Sequence, residues 1–213
     1  MLDFPNLLCI TRDSSELSHV EQVNILIQKG ARFIQIRSKS LSHSELEDQV
    51  KEATKATAQK DVILIINDYI DIARITGIDG VHLGKKDDSS LFARKTLGGN
   101  KFIGSTVHNF EEAKKVKLDG VANYVGLGPY RLSKTKFDLT PILSEAEINN
   151  IVNLLSPIPV FLIGGIDLPD CNLISKFNLR GIAVCAALSN NNLYGENVSR
   201  FNQVINKNKL LAV

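Results

Sequence analysis

Short apolar runs rich in Ile and Val recur along the chain, and each ends in a polar or glycine-rich cluster. Most of these runs lack strict alternation of apolar and polar residues, which is typical of parallel strands covered on both faces. The pattern predicts eight strands: Leu7-Thr11, Phe33-Arg37, Val62-Asn67, Gly80-Leu83, Phe102-Thr106, Tyr124-Gly128, Pro159-Gly165 and Gly181-Ala186.

Amphipathic segments separate most neighbouring runs, and three of them begin with the spacing of a capping box. Glycines stand near the ends of several segments, where a left-handed residue commonly closes a helix. Alternation of strand and helix from end to end predicts one α/β domain over residues 1–213, a single (β/α)8 TIM barrel. The capping pairs are Ser42 with Glu45, Asn109 with Glu112 and Ser144 with Glu147, and the glycines are Gly30, Gly77, Gly98 and Gly120.

The composition gives no general support for nucleic acid or a membrane as a binding partner. The 213 residues carry 25 basic and 23 acidic side chains, so a net charge of +2 gives no general reason to expect nucleic acid or a membrane as partner. Without a signal peptide or a long apolar stretch, the default expectation is a soluble cytoplasmic protein. Association between copies of the chain stays open.

Cysteines and histidines lack the spacing of a metal cluster. Cys9, Cys171 and Cys185 are expected as reduced thiols. His19 is expected on a helix surface, and His82, which lies within a predicted strand, is expected to be structural.

The polar clusters gain importance from the predicted fold, because all strand C-termini of such a barrel open on one face. Side chains scattered in the sequence should therefore converge there. The set comprises Gln35, Arg37, Lys39, Asn67, Asp68, Asp87, Thr106, Lys136 and Gly164-Gly165.

Two aspartates follow neighbouring predicted strands. Asp68 comes directly after Asn67, and Asp87 stands shortly after the next run. Two carboxylates at adjacent strand ends suit Mg2+, which keeps further positions for phosphate oxygens. Taken singly, Asp68 is better interpreted as the cap of a helix that starts near Tyr69, and Asp87 as a solvated loop acid. Taken together, the pair favours a metal site.

Gln35, Arg37 and Lys39 alternate along the second predicted strand, so an extended backbone points all three to one side. If that side is the barrel interior, an amide and two cations line its mouth, and the cations suit phosphate oxygens. Alternatively, Lys39 already lies in the loop and Arg37 pairs with an acid inside the barrel. The residues alone do not decide between these interpretations.

Two further strand exits suit anions. The loop after the sixth strand carries Ser133, Thr135 and Lys136, which could fold over an anion or form an ordinary solvated loop. Gly164-Gly165 ends the seventh strand and small residues end the eighth, where barrels often bind phosphate through backbone amides.

In order and spacing these motifs resemble the thiamine-phosphate synthase (thiamine-phosphate pyrophosphorylase) family, which also holds the TenI-type proteins. The resemblance covers almost the full length of the chain. It rests on Gln35-Ile-Arg37-Ser-Lys39, Ile65-Ile-Asn67-Asp68, Asp79-Gly-Val-His-Leu-Gly84 followed by Asp87, Tyr124-Val-Gly-Leu-Gly-Pro129, Thr135-Lys136, Ile163-Gly-Gly-Ile166 and Gly181-Ile-Ala-Val184.

The resemblance implies an enzyme with small phosphorylated substrates. It would couple 4-amino-2-methyl-5-hydroxymethylpyrimidine diphosphate to 4-methyl-5-(2-phosphoethyl)thiazole, giving thiamine phosphate and pyrophosphate by a dissociative, Mg2+-assisted route. The implied catalytic cations are Arg37, Lys39 and Lys136. The implied metal ligands are Asp68 and Asp87; the diphosphate site adds Asn67 and Thr106; the pyrimidine contact is Gln35; and the thiazole phosphate lies among Ser133, Thr135, Gly165, Cys185 and Ala186.

Two departures from the family pattern bear on these roles. Lys85-Lys86 stands where a Gln-Glu or Gln-Asp pair is usual, and two cations there are expected to lower the proton affinity of Asp87 or to compete with the metal. Ala186 stands where many members have Ser, so one donor to the thiazole phosphate is lost, worth about 1.5–3 kcal/mol.

Two alternative functions remain. A TenI-like thiazole tautomerase is one, although its usual catalytic His falls where this chain has Pro129. A barrel that binds thiamine-related phosphates without catalysis is the other, and retention of the charged set argues against it.

Overall fold

The computed structural model of the protein describes residues 4–14, 16–131, 142–189 and 193–211. Eight parallel strands close into a barrel in chain order, with β1 pairing both β2 and β8. The strands are β1 (Leu7–Ile10), β2 (Phe33–Ile36), β3 (Ile63–Asn67), β4 (Gly80–Leu83), β5 (Phe102–Val107), β6 (Tyr124–Leu127), β7 (Val160–Ile163) and β8 (Gly181–Val184). The predicted (β/α)8 architecture is confirmed, and most strands end one or two residues before the predicted boundary.

Helices alternate with the strands. They are α1 (His19–Gln28), α2 (His43–Thr57), α3 (Ile70–Thr76), α4 (Ser90–Leu97), α5 (Phe110–Asp119), α6 (Glu145–Leu155), α7 (Leu173–Lys176) and α8 (Asn197–Leu211), with short 3-10 helices at Leu168–Asn172 and Ala186–Leu188. Among the described residues, no helix is both long and apolar enough to cross a membrane.

The predicted capping residues begin their helices. Ser42 and Ser144 form complete capping boxes at α2 and α6, and the Asn109 side chain accepts the Glu112 N–H at the start of α5. Each cap satisfies backbone donors that the first helical turn leaves unpaired. The helix starts therefore follow from local chemistry.

Alternate strand residues divide the core into two layers. Outward residues such as Ile34 and Ile66 pack against the helices. Inward residues form a second cluster in the barrel interior. Phe4 lies just before β1, with its ring centroid 5.3 Å from that of Phe33 and 5.5 Å from that of Tyr124. These rings fill the N-terminal half of the interior, so the polar inward residues lie towards the C-terminal end.

Glycines in β5 and β6 make room for the largest inward side chains. A Cβ at Gly104 would overlap the ring of Tyr124 and also His82 Nδ1, and one at Gly126 would lie 3.1 Å from His82 Cε1. Tyr124 is fully buried. Small residues on β5 and β6 are therefore required for the histidine and the tyrosine to face inward.

Replacement of Gly104 by Ala is expected to destabilise the barrel. Overpacking of a tight interior costs about 1–3 kcal/mol, since ring and backbone must both move. Gly99→Ala is the matched control, because Gly99 is exposed and its Cβ would meet no atom within 4 Å. Urea unfolding of both variants measures the difference; equal midpoints would contradict this account of the interior.

Candidate functional site

Two carboxylates meet at the C-terminal ends of β3 and β4. Asp68 follows the last residue of β3, and its N–H donates to the His82 carbonyl at 2.9 Å. Asp87 folds back over β4, and its Oδ2 accepts the Gly84 N–H at 2.6 Å. A hydrogen bond joins the two carboxyl groups. The strand register thus brings together two acids that lie 19 residues apart in the sequence.

Asp68 adopts a backbone conformation that is rare outside glycine, with φ at +71°. Helix α3 begins two residues later, and its N-cap, Tyr69, makes no side-chain capping bond. The interpretation of Asp68 as a helix cap is therefore wrong. Its carboxylate is directed to Asp87 and to Lys39 instead.

Lys39 reaches this acidic pair from the segment after β2. Its Nζ donates to Asp68 Oδ2 at 2.6 Å. The Lys39 side chain is 56% exposed, whereas that of Asp68 is 16% exposed. Lys39 lies beyond the end of β2, as one alternative held, yet its charge belongs to the barrel mouth.

The shared hydrogen bond separates the protonation of the two acids. Burial and the hydrogen bond with Asp68 raise the pKa of Asp87 to about 6. Burial alone would raise the pKa of Asp68, but hydrogen bonds from Asp87 and Lys39 outweigh it and leave that pKa below its usual value. At mildly acidic pH the pair therefore shares one proton.

A hydrogen-bonded histidine forms the adjoining wall of the site. His82 Nδ1 lies 2.8 Å from Tyr124 Oη, and His82 Nε2 lies 2.9 Å from Thr106 Oγ1. Both ring nitrogens are engaged by hydroxyls, so the geometry agrees with a structural histidine. Through it, the Thr106 hydroxyl is fixed at the mouth of the barrel.

Two further predicted residues, Gln35 and Arg37, lie on the β2 side of the mouth. Gln35 is buried, and its Nε2 has no hydrogen-bond partner among the described residues. The Arg37 side chain makes no ion pair or hydrogen bond with any part of the chain that the structure describes. Its charge acts on the thiol of Cys185, whose pKa burial raises and Arg37 and Arg12 partly lower. Among the described residues, Arg37 therefore lacks the internal acid partner considered above.

The ends of β7 and β8 lie beside each other, as β7 pairs with β8. Strand β7 stops at Ile163 because Gly164 and Gly165 follow with φ of +102° and +61°. Strand β8 stops at Val184, and Cys185 leads into a 3-10 helix that begins at Ala186. The predicted residues Gly165, Cys185 and Ala186 are therefore at adjacent exits, although none of them lies in a strand.

Arg131 ties the start of the β6–α6 connection to the β7 exit. Its guanidinium donates to both carboxylate oxygens of Asp170, at 2.5 and 2.7 Å, and to the Gly165 carbonyl at 3.1 Å. The Arg131 N–H donates to the Gly164 carbonyl at 3.1 Å. A Cβ at Gly165 would lie 2.8 Å from Arg131 Cβ, so this close approach requires glycine. The predicted residues Ser133, Thr135 and Lys136 follow Arg131 and lie outside the described residues.

Asp68 and Asp87 form a donor set that fits Mg2+. Both offer oxygen, the ligand this ion prefers, and a divalent cation would replace the shared proton and relieve the repulsion between the acids. No third His, Cys, Asp or Glu joins them among the described residues. The remaining coordination positions would fall to substrate oxygens and water.

Comparison with known proteins identifies relatives of this chain. A family model described as thiamine monophosphate synthase matches residues 7–188. The chain belongs to this family. The family resemblance predicted from the sequence is therefore confirmed.

Individual members of the thiamine monophosphate synthase family match over most of their length. The thiamine-phosphate synthase of Bacteroides fragilis (strain YCH46) is 34% identical over 187 residues, which cover 86% of this chain and 91% of that protein. That of Clostridium novyi (strain NT) is 36% identical over 174 residues, 82% of this chain and 84% of that protein. The structure of thiamine phosphate pyrophosphorylase from Pyrococcus furiosus superposes with a TM-score of 0.82 at 26% identity, covering 94% of this chain and 96% of that one.

One departure from the thiamine monophosphate synthase pattern is explained by the structure. Lys85 Nζ lies 2.8 Å from Glu112 Oε1 on α5. Lys86 is exposed. The expectation that these cations lower the proton affinity of Asp87 is wrong, because burial and Asp68 raise its pKa.

Sequence reasoning missed the residues that support the β2 exit. His19 is the first residue of α1 and is 3% exposed, so its predicted surface position is wrong. It lies 2.7 Å from Thr11 Oγ1 and 3.4 Å from Asp13 Oδ1. The capping box of Ser18 and Glu21 was the available signal, because it fixes where α1 begins.

Asp170→Asn is expected to lower stability in a pH-dependent way. Burial raises the pKa of Asp170, but the hydrogen bonds with Arg131 and Asp167 lower that pKa by more than burial raises it. The pKa in the folded protein therefore lies below the pKa in the unfolded chain. Its contribution of about 1–2 kcal/mol is therefore complete at neutral pH and is lost as pH falls below about 4. Unfolding curves for wild type and variant should converge there.

The exposed pair of Lys176 and Glu145 supplies the control for this measurement. Glu145→Gln removes an ion pair whose partners are both largely solvated, so little change is expected at either pH. An Asp170→Asn penalty that persists unchanged at acid pH would contradict the assignment to the ion pair.

Proposed function

We propose that the protein is a thiamine-phosphate synthase, a transferase that joins 4-amino-2-methyl-5-hydroxymethylpyrimidine diphosphate to 4-methyl-5-(2-phosphoethyl)thiazole and releases pyrophosphate. The observation that carries this proposal is the meeting of Asp68, Asp87 and Lys39 at the mouth of a barrel of the thiamine monophosphate synthase family. A diphosphate is a leaving group whose negative charge must be stabilised as its bond to carbon breaks. This cluster supplies cation-binding oxygens and a cation side by side.

The diphosphate would lie between the β2 and β4 exits. Lys39 offers a compact charge and Arg37 a planar guanidinium with no other described partner, and both would donate to phosphate oxygens as negative charge develops. Asn67, Thr106 and Lys136 would add neutral and charged donors. Mg2+ held by Asp68 and Asp87 would neutralise further charge on the phosphates.

The pyrimidine would lie deeper, over the polar floor of the barrel. The Gln35 amide is buried and its Nε2 unpaired among the described residues, so a ligand acceptor there would relieve the cost of that orphan donor. A ring nitrogen of the pyrimidine is such an acceptor. The thiazole nitrogen would then attack the methylene carbon from which diphosphate has departed.

The thiazole phosphate would bind at the β7 and β8 exits. Backbone groups of Gly165, Cys185 and Ala186 lie there, and Ser133 and Thr135 would contribute hydroxyls from the adjoining loop. Ala186 offers no hydroxyl, so this site is expected to bind its phosphate more weakly than one with serine. The predicted cytoplasmic location and any association of copies stay predictions.

Formation of thiamine phosphate from both substrates tests the proposal. Wild type should require Mg2+, and chelation should abolish the product. Asp68→Ala and Lys136→Ala should each lower kcat/KM by about a hundredfold or more, the usual loss when charge stabilisation of a leaving group is removed. Asp88→Ala is the matched control, because Asp88 is an exposed neighbour of Asp87 and should retain activity.

No product from folded wild type would overturn the synthase assignment. Conversion of the thiazole alone would then indicate the tautomerase, and tight binding without conversion would indicate a non-catalytic phosphate binder. Activity that is equal with and without chelator would contradict the metal role of Asp68 and Asp87.

A further inference from the structure

The three residues that follow β2 are held by the end of β1 and the loop after it. The Arg37 N–H donates to Thr11 Oγ1 at 3.1 Å, and the Lys39 N–H donates to Asp13 Oδ2 at 2.8 Å. Between them, the Ser38 hydroxyl donates to Asp13 Oδ1. The side chains of Thr11 and Asp13, at the exit of β1, therefore fix three consecutive residues, 37–39, at the exit of β2.

A single buried histidine supports both anchors. His19 Nδ1 lies 2.7 Å from Thr11 Oγ1, and its Nε2 lies 3.4 Å from Asp13 Oδ1. Thr11 Oγ1 already accepts the Arg37 N–H, so its own proton is free to go to Nδ1, which leaves the Nε2 proton for Asp13. His19 thus links Thr11, through a hydrogen bond, to Asp13, through a longer charge interaction.

The network continues into the loop before α2. While its hydroxyl donates to Asp13, Ser38 Oγ accepts the N–H groups of Ser40 and Leu41 at 3.3 and 3.1 Å. Thr11 is completely buried and Ser38 is 4% exposed, so water is excluded from their hydroxyl groups, whereas the Asp13 side chain is 31% exposed. The backbone from Arg37 to Leu41 is consequently fixed by hydrogen bonds at most of its positions.

The fixed backbone after β2 is important because few other contacts orient the side chains of Arg37 and Lys39. The Arg37 side chain has no hydrogen bond or ion pair with another described residue, and Lys39 contacts Asp68 alone among them. A charge that stabilises a leaving group is effective only when it is already placed where the charge develops. Lateral movement of this segment would displace Arg37 and carry Lys39 away from Asp68.

We propose that Thr11, Asp13 and His19 are positioning residues for the diphosphate site, acting through the backbone of Arg37 and Lys39. None of the three needs to touch substrate. The inference rests on the proposed function, and it predicts a graded defect: weaker binding and slower departure of the diphosphate, with a smaller effect on the thiazole phosphate site at β7 and β8.

Paired substitutions separate the network from general stability. Thr11→Val keeps the shape and removes the hydroxyl, whereas Thr11→Ser keeps the hydroxyl and removes a methyl group. Asp13→Ala removes both acceptors, and Asp13→Asn retains one. The control is Thr57→Val: Thr57 is 6% exposed, and its hydroxyl donates to the backbone carbonyls of Ala53 and Thr54 within α2.

The measurements are the Kd of inorganic pyrophosphate with Mg2+, by calorimetry on folded protein, and kcat and KM for each substrate. Thr11→Val and Asp13→Ala should raise the pyrophosphate Kd and the KM for the pyrimidine diphosphate by about tenfold, the effect of losing one well-made hydrogen bond. The KM for the thiazole phosphate should change by a clearly smaller factor. Asp13→Asn should be intermediate, and Thr11→Ser should restore values close to those of wild type.

Other results would overturn the proposal. Equal losses in Thr57→Val and Thr11→Val would indicate a role in stability only, as would a lowered Tm with unchanged pyrophosphate Kd. If Asp13→Ala does not fold, Thr11→Val against Thr11→Ser decides the matter with smaller changes. Failure of the proposed function is recognised separately, because wild type itself would then neither make product nor bind pyrophosphate, and the positioning role would fall with it.

Discussion

Register in the closed parallel barrel decides which side chains face its interior, and the candidate site depends on this constraint. Asn67 pairs with His82 and His82 with Gly104, so the polar inward residues of β3 and β4 lie side by side and Thr106 lies two residues further along β5. A shift of one residue would exchange every inward side chain for an outward one. The aromatic cluster around Phe4 and Tyr124 opposes such a shift, since its rings would be forced among the helices.

Two acidic side chains lie close together in the site, and the binding of ligands can relieve the electrostatic repulsion between them. Asp68 and Asp87 share a hydrogen bond that requires a proton between them, and Lys39 compensates only part of the remaining charge. The buried Gln35 Nε2 has no hydrogen-bond partner among the described residues. Such arrangements are unfavourable in a protein without ligands and favour the binding of cations and phosphates, because binding removes the electrostatic penalty. The same features that weaken the fold locally prepare the site.

Much of the fold and part of the site follow from the sequence, for reasons that are local. Ser42 and Ser144 cap their helices through bonds to residues three positions ahead, so sequence spacing suffices to predict them. The convergence of Asp68 and Asp87 followed from the fold alone. The left-handed backbone of Asp68 and the burial of His19 did not, because both depend on contacts with other strands and loops. The boundary after Val184 was missed because the apolar Cys185 and Ala186 continue the run, and the boundary after Ile163 because Gly164 and Gly165 were counted in the strand although their positive φ ends it.

The effect of a residue that departs from the family pattern depends on the residues that contact it. Lys85 is unusual for its family, yet Glu112 on α5 accepts its charge, and the pKa of Asp87 is set by burial and by Asp68 instead. Ala186 differs in kind, since a missing hydroxyl cannot be supplied by a rotation of the alanine itself. The charges of Arg37 and Arg12 both act on the thiol of the neighbouring Cys185, so compensating charge would come from the exits of β1 and β2. A charge added by a substitution can thus be neutralised by a neighbouring residue. When a substitution removes a hydrogen-bond donor to a ligand, a residue on another strand must supply the donor instead.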